Sequence, residues 1–404
     1  MAERVVLAYS GGLDTSVAIR WLKEKYGYDV VTLTIDLGGK DVAGVQEKAL
    51  QIGAVKAEVE DVRELFVRSY ILPALKAGAV YQGQYPLATA LGRPLIASLL
   101  AEVALEEGAT VVAHGCTGKG NDQVRFEVSL AALAPHLRVV APAREWGMTR
   151  EETIQYARER DIPIPVTVAS PYSTDENLWG RSIECGALED PWTEPPEDAF
   201  AWTRPIPNTP GKPAYVEIGF EQGVPVLLNS RGRDGTSLIA ELNTLAGEHG
   251  VGRIDHIEDR LVGIKSREVY EAPAATVLLK AHAALESMTL SRHQLRFKER
   301  VAQEYAGLIY DGLWFSTMRH DLDAYVESTQ RFVTGTVRVK LFKGSATVVG
   351  RRAPRALYRH ELATYDKGDE FDQSAAPGFI HLWGLPLRVQ SQVQLQEEDD
   401  KGHH

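Results

Sequence analysis

Cysteine is scarce in this chain, and the shortage excludes two kinds of stabilising site. Only Cys116 and Cys185 occur among 404 residues, and two thiols cannot build a disulfide framework or a four-thiolate zinc site. The eleven histidines include no pair spaced i, i+4, and no H-E-x-x-H string occurs. We therefore expect no resident metal site, and a reducing, cytoplasmic compartment is the simplest interpretation.

Long hydrophobic runs and an excess of positive charge are missing as well. The apolar stretches fall short of the roughly 20 residues of a membrane-spanning helix. Too few apolar residues precede Ser10 for a signal-peptide core, and we expect no contact with a membrane. The 44 Lys and Arg against 55 Asp and Glu give a net charge of −11. This argues against broad nucleic-acid binding, which needs a positive surface, and leaves room for a local basic patch only.

Strand and helix signals alternate through the first part of the chain. The continuous apolar run 5–9 is typical of a strand buried on both faces. Alternation of this kind predicts a parallel sheet with right-handed crossovers. The predicted strands are 5–9, 29–36, 55–59, 110–113 and 137–141. The predicted helices are one that follows residue 12, 45–52, one that begins at Pro94 and ends at Gly108, and 149–160.

The pattern changes at Ile162-Pro163-Ile164-Pro165, where two prolines prevent a continuing helix. We place a domain boundary there, at residue 165. The stretch 186–213, rich in Pro, Trp and acidic residues, predicts a long loop over a surface. From residue 215 the second half is expected to be α+β. Its predicted elements are antiparallel hairpins that turn at 222–223 and 343–344, and helices at 274–287 and 291–308.

Residues 10–16, Ser-Gly-Gly-Leu-Asp-Thr-Ser, join the first predicted strand to the first predicted helix. Open α/β sheets bind ligands at the carboxyl ends of their strands. The two glycines let the backbone approach an anion, the helix start favours negative charge, and three hydroxyls add donors, so a phosphate chain fits here. The string is neither G-x-x-x-x-G-K-[ST] nor G-x-G-x-x-G. The plain alternative is a tight turn capped by Asp14.

A second glycine-rich loop follows the predicted strand 110–113 and spans residues 114–127. Its polar groups are Thr117, Asn121, Asp122 and Arg125. This mixture suits a zwitterion such as an amino acid, with Asp122 facing an amine and Arg125 facing a carboxylate. The alternative is a solvated loop in which Asn121 or Asp122 caps a helix.

The first loop resembles the pyrophosphate-binding loop S-G-G-x-D-[ST]-S of the N-type ATP pyrophosphatases. The resemblance implies cleavage of ATP between its α- and β-phosphates, with the loop holding the departing pyrophosphate. Together with the second loop, the strings at 169–184, 249–258 and 265–273 resemble the argininosuccinate synthase family. The match runs from about residue 4 to about residue 385.

This resemblance implies a fold class and a domain plan. The fold would be α/β, with a parallel-sheet nucleotide-binding domain of the adenine nucleotide α-hydrolase-like kind over residues 1–165. An α+β synthetase domain would span residues 166–360. Residues 361–404 would form a C-terminal oligomerisation arm and a polar tail.

The resemblance also assigns roles by position. The residues that would hold ATP are Ala8, Tyr9, Ser10, Gly11, Gly12, Leu13, Asp14, Thr15, Ser16, Ile35 and Gly115. Those that would hold aspartate are Thr117, Asn121 and Asp122, and those that would hold citrulline are Tyr85, Asn121, Arg125, Ser173, Ser182, Glu258 and Tyr270. Ala90 stands where some relatives carry a serine, so Thr89 is the candidate for that citrulline contact. The candidate catalytic residues are Ser10, Asp14 and Asp122.

Several of these residues have plain alternatives. Ser173 and Ser182 could cap turns, Tyr270 could belong to the core, and Glu258 could lie on a solvated face. The family resemblance of the strings at 169–184, 249–258 and 265–273 favours the functional assignment of these residues.

The implied reaction joins citrulline and aspartate in arginine biosynthesis, with ATP and Mg²⁺. AMP would first be transferred to citrulline to give a citrullyl-adenylate with release of pyrophosphate, and the aspartate amine would then displace AMP. Asp122 or a substrate phosphate would take the proton of that amine. The resemblance further implies a homotetramer that exchanges its C-terminal region between subunits.

Two other functions share the first loop. One is a tRNA-thiolating or tRNA-modifying enzyme, a class that commonly uses paired cysteines and a basic face. The other is a non-catalytic nucleotide-binding protein, which would not need the polar groups around Asn121.

Overall fold

The computed structural model describes residues 2–39, 41–163 and 172–395. Pro165 and the string 169–171 lie outside the described residues, and so does the end of the polar tail from residue 396. The chain divides into two compact units, 1–355 and 356–404.

A five-stranded parallel sheet forms the first part of the larger unit, as the alternating pattern predicts. Its strands β1 to β5 are Arg4–Ala8, Asp29–Asp36, Lys56–Asp61, Val111–Ala113 and Arg138–Val140. They lie in the order β3-β2-β1-β4-β5. The direction in which strands are added therefore reverses between β1 and β4, and this is the point at which doubly wound sheets bind ligands.

Helices connect and follow these strands. In the described chain they are α1 Leu13–Tyr26, α2 Val45–Ile52, α3 Arg63–Phe66, α4 Leu72–Ala77, α5 Ala88–Glu106, α6 Asp122–Leu133, α7 Pro142–Glu145 and α8 Arg150–Glu159. A π-helical turn joins α3 to α4. The predicted helix 45–52 is confirmed to the residue, and the predicted helix 149–160 is confirmed with Thr149 as its N-cap.

The prediction that Pro94 begins a helix is wrong. The helix α5 begins six residues earlier, at Ala88, and Pro94 lies inside it. Ala88, Leu91 and Pro94 are all buried in the helix. Packing of this early turn against the core therefore outweighs the hydrogen bond that a proline cannot donate.

The helix α5 also corrects the expectation that every apolar stretch is too short to cross a membrane. By length and composition it could span one, with a mean hydropathy of 1.4 over its apolar window. However, 67% of that window is buried inside the protein, as in the core helix of a folded domain.

Two antiparallel sheets occupy the rest of the larger unit, in the orders β10-β9-β8-β13-β14 and β11-β12-β7-β6. Their strands are β6 Ser173–Asn177, β7 Gly180–Glu184, β8 Ala214–Glu221, β9 Val224–Leu228, β10 Arg231–Gly232, β11 Arg253–Asp259, β12 Lys265–Glu271, β13 Gly335–Phe342 and β14 Ser345–Arg352. The accompanying helices are α9 Gly235–Glu248, α10 Pro273–Thr289, α11 Arg292–Tyr310 and α12 Thr317–Gln330.

The structure confirms both predicted hairpins. The turn residues Gln222, Gly223, Lys343 and Gly344 all have positive φ, as two-residue turns between twisted antiparallel strands require. The four-stranded sheet is not among the predicted elements. Its outer strand Ser173–Asn177 contains no apolar residue, so it carries no hydrophobic alternation.

The smaller unit contains the short helices α13 His360–Ala363, α14 Ala376–Trp383 and α15 Leu385–Gln390. None of its described residues is buried. Its large apolar side chains are instead exposed, with Phe379 at 62%, Leu382 at 69% and Trp383 at 71%. Exposed apolar side chains of this number are unusual on the surface of a monomeric protein.

The stretch 186–213 is irregular, as predicted, and one buried carboxylate holds it in place. Oε1 of Glu271 accepts hydrogen bonds from the Trp202 and Thr203 backbone N–H groups at 2.9 and 2.8 Å, and from the Thr203 hydroxyl at 2.7 Å. Its Oε2 accepts from the Ala201 N–H and from Arg181, both at 2.9 Å. Glu271 is fully buried, so these five donors replace its hydration.

We expect Glu271→Gln to lower the free energy of unfolding by about 3–5 kcal/mol, because it leaves the Arg181 charge short of a buried partner and turns an amide toward backbone donors. Urea unfolding followed by circular dichroism measures the change. The control is Glu248→Gln, since Glu248 is exposed and lies 3.9 Å from Arg204. If Glu271→Gln lowered the free energy of unfolding no more than this control does, Glu271 would not be what holds the stretch 186–213 in place.

Candidate functional site

The first loop, residues 10–16, meets the first part of the second loop, residues 114–121, at the carboxyl edge of the parallel sheet. The rest of the second loop, from Asp122, forms the start of α6. The two loops follow β1 and β4, which pair directly. A Cβ on Gly115 would stand 2.8 Å from Cγ2 of Thr15, so only glycine permits this approach. The tertiary structure therefore brings Gly115 to the residues predicted to hold ATP. Ile35 lies near the carboxyl end of β2, on the other side of β1.

The first loop is arranged to present donors. Gly11 has φ +72°, and Gly12 is the N-cap residue of α1 in an extended conformation. The Ser10 hydroxyl lies 3.1 Å from that of Thr15 and accepts from the Gly12 N–H at 3.4 Å. The N-cap of α1 is Gly12, and Asp14 lies within the first turn of the helix, so the alternative in which Asp14 is the cap is wrong. The start of a helix beside two hydroxyls has the donors that an anion requires.

A cavity lies between the second loop, α5, α6 and the four-stranded sheet. Its lining includes all the residues predicted to hold citrulline: Tyr85, Thr89, Asn121, Arg125, Ser173, Ser182, Glu258 and Tyr270. Asp122 also lines it. Thr117 does not line it and is exposed, and the residues predicted to hold ATP lie outside its lining.

Two stacked tyrosines form one wall of the cavity. The rings of Tyr85 and Tyr270 are 4.3 Å apart and inclined by 11°. The Tyr85 hydroxyl is 2.7 Å from that of Thr89, and burial raises the pKa of Tyr85 to about 12. Ala90 is fully buried and does not line the cavity, whereas Thr89 does. Of these two neighbouring residues, only Thr89 can therefore contact a molecule in the cavity.

Glu258 is a buried anion rather than part of a solvated face. It is 3% exposed, and its two oxygens accept from the hydroxyls of Tyr270 at 2.7 Å and Tyr310 at 2.6 Å. Burial raises the pKa of Glu258, but the hydrogen bonds from the Tyr310 and Tyr270 hydroxyls, with the His256 ring 3.5 Å away, outweigh burial, so the pKa lies below its usual value. Glu258 is therefore ionised at neutral pH, and it lines the cavity.

Asn121 does not cap its helix with its side chain. Its amide nitrogen donates to the Tyr310 hydroxyl at 2.7 Å, and its oxygen accepts from the Leu261 N–H at 2.9 Å. The two predicted caps at Ser173 and Ser182 also fail, because both serines lie within strands. The plain alternatives for these three residues are therefore wrong.

Asp122 lies between two arginines. Its oxygens accept from Arg125 Nη1 at 2.9 Å and from Arg93 Nη2 at 2.8 Å. Burial raises the pKa of Asp122, but the two guanidinium groups prevail and lower it to about 2. Asp122 is thus ionised at neutral pH and is a poor proton acceptor. It suits the binding of an ammonium group better than proton transfer.

Arg125 is only 4% exposed and keeps one donor without a partner among the described residues. Its Nε donates to the Tyr310 carbonyl at 2.9 Å, and its guanidinium lies 4.8 Å from the centre of the Tyr310 ring. Nη2 has no hydrogen-bond partner there. A buried guanidinium N–H of this kind is suited to a ligand carboxylate.

Sequence reasoning missed several residues of this site: Arg93, Asp175, Glu184, Arg260, Glu268 and Tyr310. Arg260 donates to Glu184 at 2.7 Å and also pairs with Glu268. Burial raises the pKa of Glu268 to about 7, aided by the nearby Glu184 and opposed by Arg260. Ser182 and Glu184 share one face of β7, while Glu268 and Tyr270 share one face of β12. The polar–apolar–polar order of residues 182–184 was the available signal for β7.

Comparison with known proteins identifies the family. Residues 4–163 match the model of the arginosuccinate synthase N-terminal HUP domain, and residues 172–390 match that of the arginosuccinate synthase C-terminal domain. An argininosuccinate synthase of Dehalococcoides mccartyi is 61% identical over 404 residues, covering 100% of both chains. Another from Bacillus thuringiensis is 59% identical over 396 residues, covering 98% of both.

A solved structure of a 4-thiouridine synthetase–RNA complex with bound ATP is also similar, at 20% identity and a TM-score of 0.29, over 39% of this chain and 40% of that one. So weak a similarity adds nothing to the assignment. The two family models together cover both halves of the chain, and the relatives match it from end to end. This chain therefore belongs to the argininosuccinate synthase family of enzymes.

Proposed function

We propose that this enzyme activates citrulline with ATP and then joins it to aspartate, forming argininosuccinate and releasing pyrophosphate and AMP. Family membership supports ligation of citrulline and aspartate in arginine biosynthesis. The observation that carries the proposal is the cavity that gathers the eight predicted citrulline residues with Asp122. Gly115, in the second loop with Asn121 and Asp122, approaches Thr15 of the first loop, which we call the phosphate loop.

The first step overcomes the weak electrophilicity of a ureido group. Its carbonyl is stabilised by two nitrogens, and its oxygen is a poor leaving group. The ureido oxygen attacks the α-phosphorus of ATP, the bond from that phosphorus to the bridging oxygen breaks, and pyrophosphate departs. The N–H groups at the start of α1, with the Ser10 and Thr15 hydroxyls, would neutralise the developing charge on pyrophosphate.

The second step uses the activated citrulline. The aspartate amine attacks the former ureido carbon, the carbon–nitrogen bond forms, and AMP leaves with the oxygen. Asp122, held ionised between Arg93 and Arg125, would bind the incoming ammonium. Because its pKa is lowered to about 2, we assign acceptance of the amine proton to a substrate phosphate rather than to Asp122.

Mg²⁺ would enter as a companion of ATP. Within the described residues, no group of three His, Cys, Asp or Glu side chains could hold a metal ion. Mg²⁺ commonly binds through substrate phosphates and one or two carboxylates. Asp14, in the first turn of α1, is the carboxylate that would share it.

The tRNA-modifying alternative has less support. The net charge of −11 and the separation of 69 residues between Cys116 and Cys185 do not suit a basic face with paired thiols. Burial also raises the pKa of Cys116 to about 12, so its thiol is a poor nucleophile at neutral pH. Both cysteines are free, in keeping with the cytoplasmic location that we propose.

We expect pyrophosphate release to require citrulline and ATP together, because the ureido oxygen is the acceptor of AMP. A coupled pyrophosphate assay with ATP, citrulline, aspartate or Mg²⁺ omitted in turn measures it. tRNA at substrate concentration, added without citrulline, is the control for the alternative, because each modified tRNA would release one pyrophosphate. Release that responds to tRNA and not to citrulline would overturn the proposed function.

We expect Asp14→Ala to lower kcat/KM for ATP by about a hundredfold, because the first loop stabilises the transferred phosphates. Citrulline affinity, measured by calorimetry without ATP, should stay within about twofold, since Asp14 does not line the citrulline cavity. The matched control is Asp321→Ala, an exposed residue of α12. An equal loss of citrulline affinity in Asp14→Ala would refute the division of roles.

The exposed apolar side chains of α14 and α15 support a further part of the proposal, a homotetramer assembled through the arm. We expect light scattering to give about four times the 44.5 kDa of one chain. Trp383→Glu should yield smaller species, because a charge in an apolar interface is strongly unfavourable. Tyr215→Glu, at an exposed residue of β8, is the control. A monomeric wild-type protein, or a tetramer unaffected by Trp383→Glu, would contradict this assembly.

A further inference from the structure

One face of the helix α2 packs against the phosphate loop from the neighbouring βα unit. Val45 and Lys48 are three residues apart and lie on that face. The Val45 side chain is 3.2 Å from where a Cβ of Gly11 would stand. The Lys48 ammonium donates a hydrogen bond to the Gly11 carbonyl oxygen at 2.7 Å.

This contact fixes the orientation of one peptide plane. In a trans peptide, the carbonyl of residue 11 and the N–H of residue 12 point in opposite directions. Lys48 holds the carbonyl end of the Gly11–Gly12 peptide, so the N–H end is turned away from α2. Gly12 is the N-cap residue of α1, and its N–H is directed to Ser10 Oγ at 3.4 Å, a long bond that a phosphate oxygen can replace.

Glycine at residue 11 makes such a constraint necessary. Gly11 has φ +72°, and a glycine can adopt this backbone region and several others. The local chain therefore does not select one orientation of the Gly11–Gly12 peptide plane. A charged donor on the carbonyl does select one, since hydrogen bonds that involve an ionised group are stronger than neutral ones.

We propose that Lys48 is a positioning residue for the pyrophosphate part of ATP, acting through the Gly11–Gly12 peptide. This inference rests on the proposed function, because it takes the first loop as the pyrophosphate site. Lys48 presets the N–H of Gly12 toward the phosphates and adds a positive charge behind the loop. It acts before the phosphates arrive, so the loop spends no binding energy on reorientation.

The competing interpretation is that Lys48 only attaches α2 to the domain. The buried side chains of Val45, Ala49 and Ile52 already attach α2 to the core. Removal of the half-buried ammonium should therefore leave the fold intact, and the two interpretations differ in what they predict for phosphate affinity.

The experiment is calorimetric titration of the full-length protein with inorganic pyrophosphate and, separately, with citrulline. In Lys48→Met we expect pyrophosphate affinity to fall about tenfold and citrulline affinity to stay within about twofold of wild type. KM for ATP should rise more than kcat falls, and Lys48→Arg should recover most of the loss because it retains a charged donor. The control is Lys23→Met, which removes a charge from an exposed residue near the other end of α1.

Pyrophosphate affinity in Lys48→Met equal to wild type would overturn the inference, as would an equal loss of citrulline affinity. If Lys48→Met does not fold, the same titrations of Lys48→Gln decide between these outcomes. A wild-type protein that binds no pyrophosphate would instead overturn the proposed function. If the wild type binds pyrophosphate and releases it in a citrulline-dependent way, and Lys48→Met has the same pyrophosphate affinity, only the role of Lys48 is overturned.

Discussion

The parallel pairing of β1 with β4 is the constraint on which the site depends. Because the order of the sheet reverses between these two strands, their following loops leave the same edge side by side. Two loops about a hundred residues apart in the chain thereby approach so closely that a Cβ on Gly115 would stand 2.8 Å from Cγ2 of Thr15. A side chain at residue 115 would separate them. The first loop and the second loop, which contributes to the cavity lining, are thus adjacent because of strand order.

Charge balance determines how the amino-acid cavity can work. Five carboxylates and two arginines line it: Asp122, Asp175, Glu184, Glu258, Glu268, Arg125 and Arg260. Buried charges are tolerated only when partners replace water. Arg93 and Arg125 therefore keep Asp122 ionised, and two tyrosine hydroxyls do the same for Glu258. The result is a polar site whose donors and acceptors are set before an ammonium or a carboxylate arrives.

The sequence predicted the phosphate loop because its signals are local. Glycine, hydroxyl and acidic residues between a buried strand and a helix give a pattern that needs no distant partner. The cavity was predicted differently, through the resemblance of strings spread over the chain to a known family. Neither the local pattern nor the resemblance predicted Arg93 and Tyr310, because each lies in a helix with no motif and reaches the site through contacts that exist only in the folded chain, such as those with Asp122 and Glu258.

The sequence by itself determined the class of the first domain, the two hairpins and the family, because periodicity or short strings encode each of them; phosphate binding by the first loop stays a prediction. The start of α5 needed the tertiary structure, because packing outweighed the local signal of Pro94. So did the ionisation of Asp122, since a pKa depends on charges brought near by folding. The hydrogen bond from Lys48 to the Gly11 carbonyl was likewise visible only in the tertiary structure. The physical reason is that periodicity records which face is buried, whereas contacts between distant residues exist only after the chain has packed.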